Sequence, residues 1–443
     1  MAAKRDLVEA QSFSRRRLLT AFVSGAPGGQ ELEPTKPMRG VVAGLMLSVL
    51  VVLGSLAWGA LRSDPNDWHS NRLVVVKGEG TRYVALNDAL YPVVNTTSAR
   101  LAIEAGQFAV VELAPRVIAG TERRETIGIV GAPDAPPRPD ALVPTGWTSC
   151  VADQDGATAM STSVGITVPT EAGGAVVAEL GTETFVVVGG LRHRVAQADL
   201  SSVLRAIGLE TAPRVEVPGT WLNLFPEGTA LAPLTVEGAG RPAPSSAGLG
   251  DLDVGTVVRV AGAGSADRWY VVDRRGDLAV LSEFATELYQ LGEPGAQEVT
   301  RTPAEVAGAG TATTPVAPQD WPGEPVEAIG VERAPCAVLT TGADAGVELV
   351  STDEAPAAGV HVVPGGGALV LSRSQEGGAG THALVDEMGR RFGLPTVDGG
   401  DDDVLARLGY DAEDVTVVPP AWAELFEAGP ALTVEAALTP VAP

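Results

Sequence analysis

Lysine is the first residue type to consider in this sequence, because nucleotide-hydrolysing sites depend on it. The phosphate-binding loop G-x-x-x-x-G-K-[ST] needs a lysine that reaches the β- and γ-phosphates. The chain has only three lysines, Lys4, Lys36 and Lys77, and none of them follows a glycine-rich loop of that spacing. The sequence therefore argues against an ATP site and leaves open only an unfamiliar site in which an arginine replaces the lysine.

Other residue types that carry chemistry are equally scattered. The glycine-rich stretches GEG (78–80), GAGS (262–265) and PGGGA (364–368) lack the G-x-G-x-x-G spacing. No G-x-S-x-G motif accompanies the four histidines, His69, His193, His361 and His382. The acidic run DGGDDD (398–403) lacks EF-hand spacing and is more typical of a solvated loop before a helix that begins near Val404. We therefore predict no cofactor, no metal site and no catalytic residue, while enzymatic activity stays open.

Two cysteines, Cys150 and Cys336, remain as candidates for covalent chemistry. The chain contains no C-x-x-C motif and no Cys/His cluster, so neither redox catalysis nor zinc binding is indicated. An even number of cysteines favours a disulfide only in an oxidising compartment; otherwise both are buried free thiols. The topology of the chain decides between these two interpretations.

Charge and hydrophobicity divide the chain into three parts. The net charge is −24, but residues 1–40 carry seven basic and four acidic side chains, whereas residues 62–443 carry 24 basic and 51 acidic ones. Residues 41–61 between them contain no charge in 21 positions and would reach about 30 Å as a helix, the thickness of a bilayer core. We predict a transmembrane helix there. A body this acidic excludes binding to nucleic-acid phosphates.

The flanking charges predict the orientation of that helix. Basic residues precede it, and acidic residues follow it, so the positive-inside rule places residues 1–40 in the cytoplasm and residues 62–443 outside. The basic residues are Arg15, Arg16, Arg17, Lys36 and Arg39. Trp58 and Trp68 are expected to anchor the outer interface. The uncharged run is too long for a signal peptide and lacks a small-x-small cleavage site, which favours an uncleaved anchor.

The stretch SFSRRRLLTAFVSG (12–25) resembles the start of a twin-arginine export signal, but 20 residues from Ala21 to Gly40 separate its arginines and leucines from the apolar run. We interpret it as a cytoplasmic orientation determinant and docking helix, with Phe13, Leu18 and Phe22 near one face. With this topology both cysteines lie outside, which favours one Cys150–Cys336 disulfide. Its loop would contribute roughly 5 kcal/mol in the chain-entropy model.

An internal duplication organises the ectodomain. Residues 203–231 align without a gap on residues 404–432, with 11 identities in 29 positions. Each copy predicts a short helix, a brief strand and a second short helix that presents an aromatic face. Packing in a core is the favoured role of these side chains: Trp221, Leu224, Phe225, Trp422, Leu425 and Phe426.

Four hairpin-plus-helix units are expected in two pairs, separated by valine-rich segments that predict a central sheet. The fold class is α+β, with a single N-terminal transmembrane helix followed by an elongated, pseudo-twofold ectodomain. The expected domains are a cytoplasmic segment (1–40), the transmembrane helix (41–61) and the extracytoplasmic domain (62–443). Within that domain the repeat units cover about 73–105, 183–232, 267–292 and 382–433, and the core covers about 106–180, 252–262 and 327–373.

The chain resembles the EccB family, the single-span membrane subunits of actinobacterial type VII (ESX) secretion systems. The resemblance rests on QSFSRRRLLTAFVSG (11–25), the apolar run at 41–61, YVALNDALYPVVNTTSARL (83–101), the tryptophan-containing repeats and the lone cysteine pair. The sequence departs from the family pattern at Thr96–Thr97 and at Glu427, where a proline is expected.

This resemblance implies a structural role at the outer face of the cytoplasmic membrane, in a large hetero-oligomer. The implied partners are EccC, EccD, EccE and a mycosin protease, and the repeats' likeness to a phage-lysin subunit implies contact with peptidoglycan. Two alternatives accompany this role: an ATP-hydrolysing component, as the family is often labelled, and a membrane-anchored module that binds peptidoglycan.

Overall fold

The structure is a computed structural model that describes residues 4–24, 37–61, 68–244, 249, 252–262, 267–342, 345–373, 379–395 and 401–441. It divides into two units, Met1–Asp67 and Trp68–Pro443.

The described residues of the first unit form two helices, α1 (Lys4–Ser24) and α2 (Pro37–Leu61). The side chains of residues 41–55 on α2 are all exposed. Within the described part of the chain, no helix combines the length and hydrophobicity that crossing a membrane requires. Because α1 is one continuous helix, Phe13 and Phe22 point in opposite directions. The expectation that these two side chains share a face is therefore wrong, whereas Leu18 and Phe22 do share one.

The second unit contains four repeats of one motif. In each repeat, three antiparallel strands lead into a helix, and a further strand returns parallel to the first strand of the three. Repeat 1 (72–113) comprises β1 (Arg72–Val76), β2 (Arg82–Leu86), β3 (Ala89–Pro92), α3 (Thr96–Ala102) and β4 (Val110–Leu113). Its β2–β3 turn places Asn87 and Asp88 at φ 49° and 62°, as type I′ hairpins require.

A three-stranded segment follows repeat 1, and then repeat 2 begins. This segment contains β5 (Trp147–Gln154), β6 (Ala157–Val164) and β7 (Glu171–Ala172). Repeat 2 (175–231) comprises β8 (Ala175–Leu180), β9 (Glu183–Val188), β10 (Leu191–Val195), α4 (Leu200–Ala206), β11 (Arg214–Glu216), α5 (Gly219–Leu222) and β12 (Glu227–Leu231). It therefore extends the motif by a short helix and a fifth strand, which pairs parallel with β10.

The second half of the unit repeats this order. Repeat 3 (257–301) comprises β13 (Val257–Val260), β14 (Arg268–Val272), β15 (Leu278–Leu281), α6 (Glu283–Gly292) and β16 (Glu298–Arg301), and α7 (Pro303–Val306) follows it. The next strands are β17 (Ala334–Thr340), β18 (Gly346–Thr352) and β19 (Gly359–Val362). Repeat 4 (368–428) comprises β20 (Ala368–Ser372), β21 (Thr381–Val385), β22 (Arg390–Leu394), α8 (Asp401–Leu408), β23 (Thr416–Val418), α9 (Pro420–Ala423) and β24 (Glu427–Ala428), and α10 (Val434–Leu438) follows.

Strands from both halves form one central sheet, in the order β19-β6-β5-β17-β18-β7. The two hairpins β5–β6 and β17–β18 meet through the antiparallel pair β5–β17. Each half also passes a strand to the hairpin of the other half: β7 pairs with β18, and β19 pairs with β6. The two halves are thus interlocked and are not merely placed side by side.

Mixed α+β architecture and the four hairpins agree with the sequence expectations, but several strands expected in the core lie elsewhere. Residues 252–262 were expected in the central sheet, whereas β13 lies in the sheet of repeat 3, paired with β14 and β16. Likewise β8 and β20 open repeats 2 and 4. The sequence of a valine-rich strand does not indicate which sheet the strand joins, because sheet membership depends on pairing partners that are distant in the chain.

Candidate functional site

The disulfide lies where the two halves of the second unit meet. Cys150 on β5 stands directly opposite Cys336 on β17, and the two are bonded. Both side chains are buried beneath Val168 and Ala355, from the loops that follow β6 and β18. The bond therefore fixes the register of the one strand pair through which the two hairpins meet.

A large apolar core covers the opposite face of the same two strands. Successive side chains of a strand alternate between faces, so Val151 and Ala337 point away from the disulfide and into this core. The core includes all six repeat residues singled out from the sequence: Trp221, Leu224, Phe225, Trp422, Leu425 and Phe426. Two segments 201 positions apart in the chain thus share one core, which we call the seam core.

Helical spacing does not position these side chains as expected. Helix α5 ends at Leu222, so Leu224 and Phe225 follow it in a turn, and α9 likewise ends before Leu425. The residues are nevertheless buried because each turn folds back onto the central sheet. The aromatic rings of Trp221 and Phe225 meet edge to face, 5.0 Å apart.

The two tryptophans differ in one respect. Trp221 donates its indole N–H to the backbone oxygen of Ser149 on β5, at 2.9 Å. The indole N–H of Trp422 is buried without a hydrogen-bond partner among the described residues. The seam core is therefore symmetric in packing but asymmetric in hydrogen bonding.

An ion-pair cluster joins the two halves at the rim of the central sheet. Arg333, just before β17, contacts Glu171 of β7, and its Nε lies 3.0 Å from Asp353. Arg333 is only 25% exposed, but the two carboxylates are 72% and 75% exposed, so each pair contributes little to stability individually. The Arg333–Glu171 pair instead links the two halves, since Glu171 comes from the first half of the unit and Arg333 from the second.

Sequence reasoning missed a polar cluster at the edge of repeat 2. Asp320 accepts a hydrogen bond from the backbone N–H of Thr229 on β12, at 2.6 Å. Trp321 donates to the Thr229 carbonyl at 3.2 Å, and the buried His193 ring contacts the same carbonyl through Nδ1 at 2.8 Å. A strand at the edge of a sheet has unpaired backbone groups, which favour pairing with other chains. This cluster provides hydrogen-bond partners for the backbone N–H and carbonyl of Thr229 on the edge strand β12. In repeat 4 the position aligned with Thr229 is Pro430, which has no N–H to satisfy.

We expect the Asp320 contact to add a small, pH-dependent increment of stability. Burial raises the pKa of Asp320. The hydrogen bonds from the backbone and hydroxyl of Thr229, together with the nearby His193, lower it by more, so the net pKa of Asp320 lies below its usual range. The stabilisation is therefore complete above the unfolded pKa of about 3.9 and is lost as the pH falls through the lower folded pKa. Since Asp320 is partly exposed to solvent, the loss should stay under about 1 kcal/mol.

Thermal unfolding of the wild type and the Asp320→Asn variant, each at pH 7 and pH 3, tests this expectation. The wild type should be more stable at pH 7, and the difference should shrink at pH 3. A difference that is the same at both pH values would contradict a charge-dependent contact.

Catalytic chemistry finds no support in the described residues. They contain no group of three or more His, Cys, Asp or Glu side chains that could hold a metal ion. Lys77 begins the β1–β2 turn next to GEG, and PGGGA lies between two strands, so neither precedes a helix as a phosphate loop does. GAGS and DGGDDD lie partly outside the described residues, and α8 begins at Asp401, three residues before the expected start.

The N-terminal basic residues are only partly placed. Arg15, Arg16 and Arg17 lie exposed on α1. Arg39 is in the first turn of α2, and Lys36 lies outside the described residues. Trp68, expected at a membrane interface, is instead 4% exposed in the core of repeat 1, and the side chain of Trp58 is outside the described residues.

The curated proteins that resemble this chain include two that are named as secretion-system ATPases. The ESX-3 secretion system ATPase EccB3 of Mycobacterium tuberculosis is 27% identical over 326 residues, which cover 67% of this chain and 58% of that protein. The ESX-5 secretion system ATPase EccB5 of Mycobacterium marinum is 25% identical over 303 residues, covering 62% of this chain and 57% of that protein. The chain thus spans less than three fifths of the length of these relatives.

Solved structures share the fold. The EccB3 dimer from the ESX-3 core complex has a TM-score of 0.67 at 24% identity and covers 83% of this chain and 99% of its own. A chain of the intact ESX-5 inner membrane complex has a TM-score of 0.64 at 21% identity, covering 100% of this chain and 96% of its own. Finally, the family model for the type VII secretion system ESX-1, transport TM domain B, matches residues 1–441. This chain therefore belongs to the EccB family of type VII secretion proteins.

Proposed function

We propose that this chain is a structural membrane subunit of a type VII secretion complex. The observation that carries the proposal is the family match over residues 1–441. A scaffold role also fits the second unit, whose two halves are joined by a buried disulfide and a shared aromatic core. In this role the second unit stabilises the complex on the outer side of the cytoplasmic membrane.

The membrane anchor belongs to this proposal. Residues 41–61 of α2 carry no charge, and the apolar side chains described on it, such as Leu45, Leu47 and Leu50, are more than half exposed. By length alone, the 21 uncharged positions of the sequence would reach about 30 Å as a helix, which is the thickness of a bilayer core. We assign a single pass with the N-terminus in the cytoplasm, supported by the basic residues before it and the acidic body after it.

The proposed partners are the other membrane subunits of such a complex, EccC, EccD and EccE, together with a mycosin protease. Support comes from the fold shared with chains in structures of ESX inner membrane complexes. The arginines of α1 offer a cytoplasmic contact for acidic groups on one of these partners.

ATP hydrolysis is the alternative that the names of the relatives suggest. We expect the purified chain to hydrolyse ATP no faster than a mock preparation, because Lys77 is its only lysine beyond α2 and lies in a turn between strands. Lys77→Met should leave that background unchanged. A turnover that follows the protein through purification and is lost in Lys77→Met or an arginine variant would overturn this expectation.

The tryptophan side chains give little support to the alternative that the chain binds peptidoglycan. Of the seven tryptophans, five are at most 8% exposed, so their rings are not available as platforms for a glycan: Trp68, Trp147, Trp221, Trp321 and Trp422. Trp269 is half-buried and carries Arg259 over its ring at 5.5 Å. A contact with the cell wall would therefore have to use other side chains.

A further inference from the structure

Repeat 1 has a core of its own. Its two faces form separate apolar clusters whose members all lie between Trp68 and Ile127. Repeats 2 and 3, by contrast, share a single cluster built from both of their helices and sheets. Repeat 1 is therefore a distinct packing unit, whereas repeats 2 and 3 are one.

Few apolar side chains join repeat 1 to repeat 4. Leu101 of α3 is the one residue of repeat 1 in the cluster that includes Leu405 and Leu408 of α8. Two arginines add polar contacts between the same helices. Arg100 donates to the carbonyl of Leu408 at 3.1 Å, and Arg407 donates to the carbonyls of Leu101 and Ile103 at 3.0 Å and 2.8 Å. Each arginine thus satisfies carbonyls at the C-terminal end of the opposite helix.

The C-terminal segment, residues 433–441, completes this junction. Helix α10 packs on α3, and its Ala437 is fully buried with Leu101. Beyond α10 the chain runs antiparallel to the segment after repeat 1: Val441 donates to the Thr126 carbonyl at 2.8 Å, and Gly128 donates to that of Thr439 at 3.3 Å. An open groove of about 440 Å³ lies beside this pairing. Apart from Ala437, the side chains of this segment are partly or fully exposed, as is typical of regions that open locally.

The corresponding segment after repeat 2 is continuous with repeat 3. Residues 232–240 follow repeat 2 as residues 433–441 follow repeat 4, and they lead on into the chain of repeat 3, so covalent continuity holds that pair together. Between repeats 4 and 1 the chain has no such connection. We propose that residues 433–441 are a latch that takes its place and fixes repeat 1 on repeat 4, and that releasing the latch lets repeat 1 swivel while the other three repeats stay in place.

A swivel at this point would matter because repeat 1 is the repeat that directly follows the first unit. Its consequence for a secretion complex rests on the proposed function. The latch itself is a property of this chain. A negative result in the latch experiment would therefore leave the proposed function standing, and a negative result for the proposed function would leave the latch standing.

Distance measurements between spin labels on the full-length chain test the latch. Both native cysteines are bonded, so added cysteines are unique labelling sites. The reporting pair is Val110→Cys on repeat 1 with Met388→Cys on repeat 4, and the control pair is Val280→Cys on repeat 3 with Met388→Cys. All three positions are more than half exposed.

Deleting residues 433–443, which removes the whole latch, should broaden or shift the 110–388 distance distribution and leave the 280–388 distribution unchanged. Arg407→Met should act in the same direction, whereas Arg205→Met, on the exposed surface of the equivalent helix of repeat 2, should do nothing. An unchanged 110–388 distribution after the deletion would overturn the proposal. So would broadening of both pairs, since the segment would then hold the whole unit together and not one repeat.

Discussion

Replacing Cys150 and Cys336 together by alanine should lower the free energy of unfolding of the second unit by about 2–5 kcal/mol. The bond joins positions 186 residues apart, and the entropy cost of ordering a chain rises with the length of the loop that a cross-link closes. The loss should be large because β5–β17 is the pairing through which the two hairpins meet. Urea denaturation followed by tryptophan fluorescence measures it.

The single variant Cys150→Ala is the matched control for that experiment. It breaks the same bond but leaves one thiol in place, so it should lose nearly as much stability as the double variant. The wild type should also change its mobility on a denaturing gel when reductant is added, and neither variant should. Equal denaturation midpoints for all three proteins, with equal mobility with and without reductant, would contradict the role of the bond.

Truncating either seam-core tryptophan to alanine should cost about 3–5 kcal/mol, because each indole is fully buried and the cavity left behind adds to the lost transfer free energy. The phenylalanine variants separate packing from hydrogen bonding. Trp221→Phe removes the hydrogen bond from the indole to the Ser149 carbonyl, whereas Trp422→Phe removes a donor that has no acceptor among the described residues.

We therefore expect Trp221→Phe to be more destabilising than Trp422→Phe by about 0.5–1.5 kcal/mol, the net contribution of one hydrogen bond. The two positions are aligned copies in one core, so each variant is the packing control for the other. Equal losses, or a larger loss for Trp422→Phe, would show that the Ser149 contact does not stabilise the seam.

Local features of this fold could be predicted from the sequence because their causes are local. Asn87–Asp88 and Gly189–Gly190 mark tight turns by residue type alone, and both turns are where the pattern predicts them. The aligned glycines Gly228 and Gly429 also have a physical reason. A side chain on either would collide with the ring of the neighbouring strand, His193 or Phe392.

Long-range features could not be predicted in the same way. Strand β7 is only two residues long, Glu171–Ala172, and its partner lies on the hairpin of the other half. Nothing in so short a segment specifies a strand 180 residues away. The contacts of Asp320 with Thr229 and of Arg100 with α8 likewise join side chains to backbone groups that have no sequence signature.

Trp68 illustrates the opposite error, in which a local pattern is misleading. A tryptophan shortly after an apolar helix is typical of a membrane interface, yet this one packs among Val74, Tyr83 and Ile118. The chain enters repeat 1 through this residue, so a side chain expected in lipid instead completes a core. Its stacking on His69 at 4.1 Å is part of the same arrangement.

Membership of a membrane complex is the central claim, and native co-purification tests it most directly. The chain would carry an affinity tag at its N-terminus, away from the C-terminal latch, and be extracted in mild detergent from cells that express it at its native level. We predict that it elutes in an assembly many times its own 45.3 kDa, together with the other secretion subunits. Recovery as a lone 45.3 kDa monomer under these conditions would contradict the proposed function.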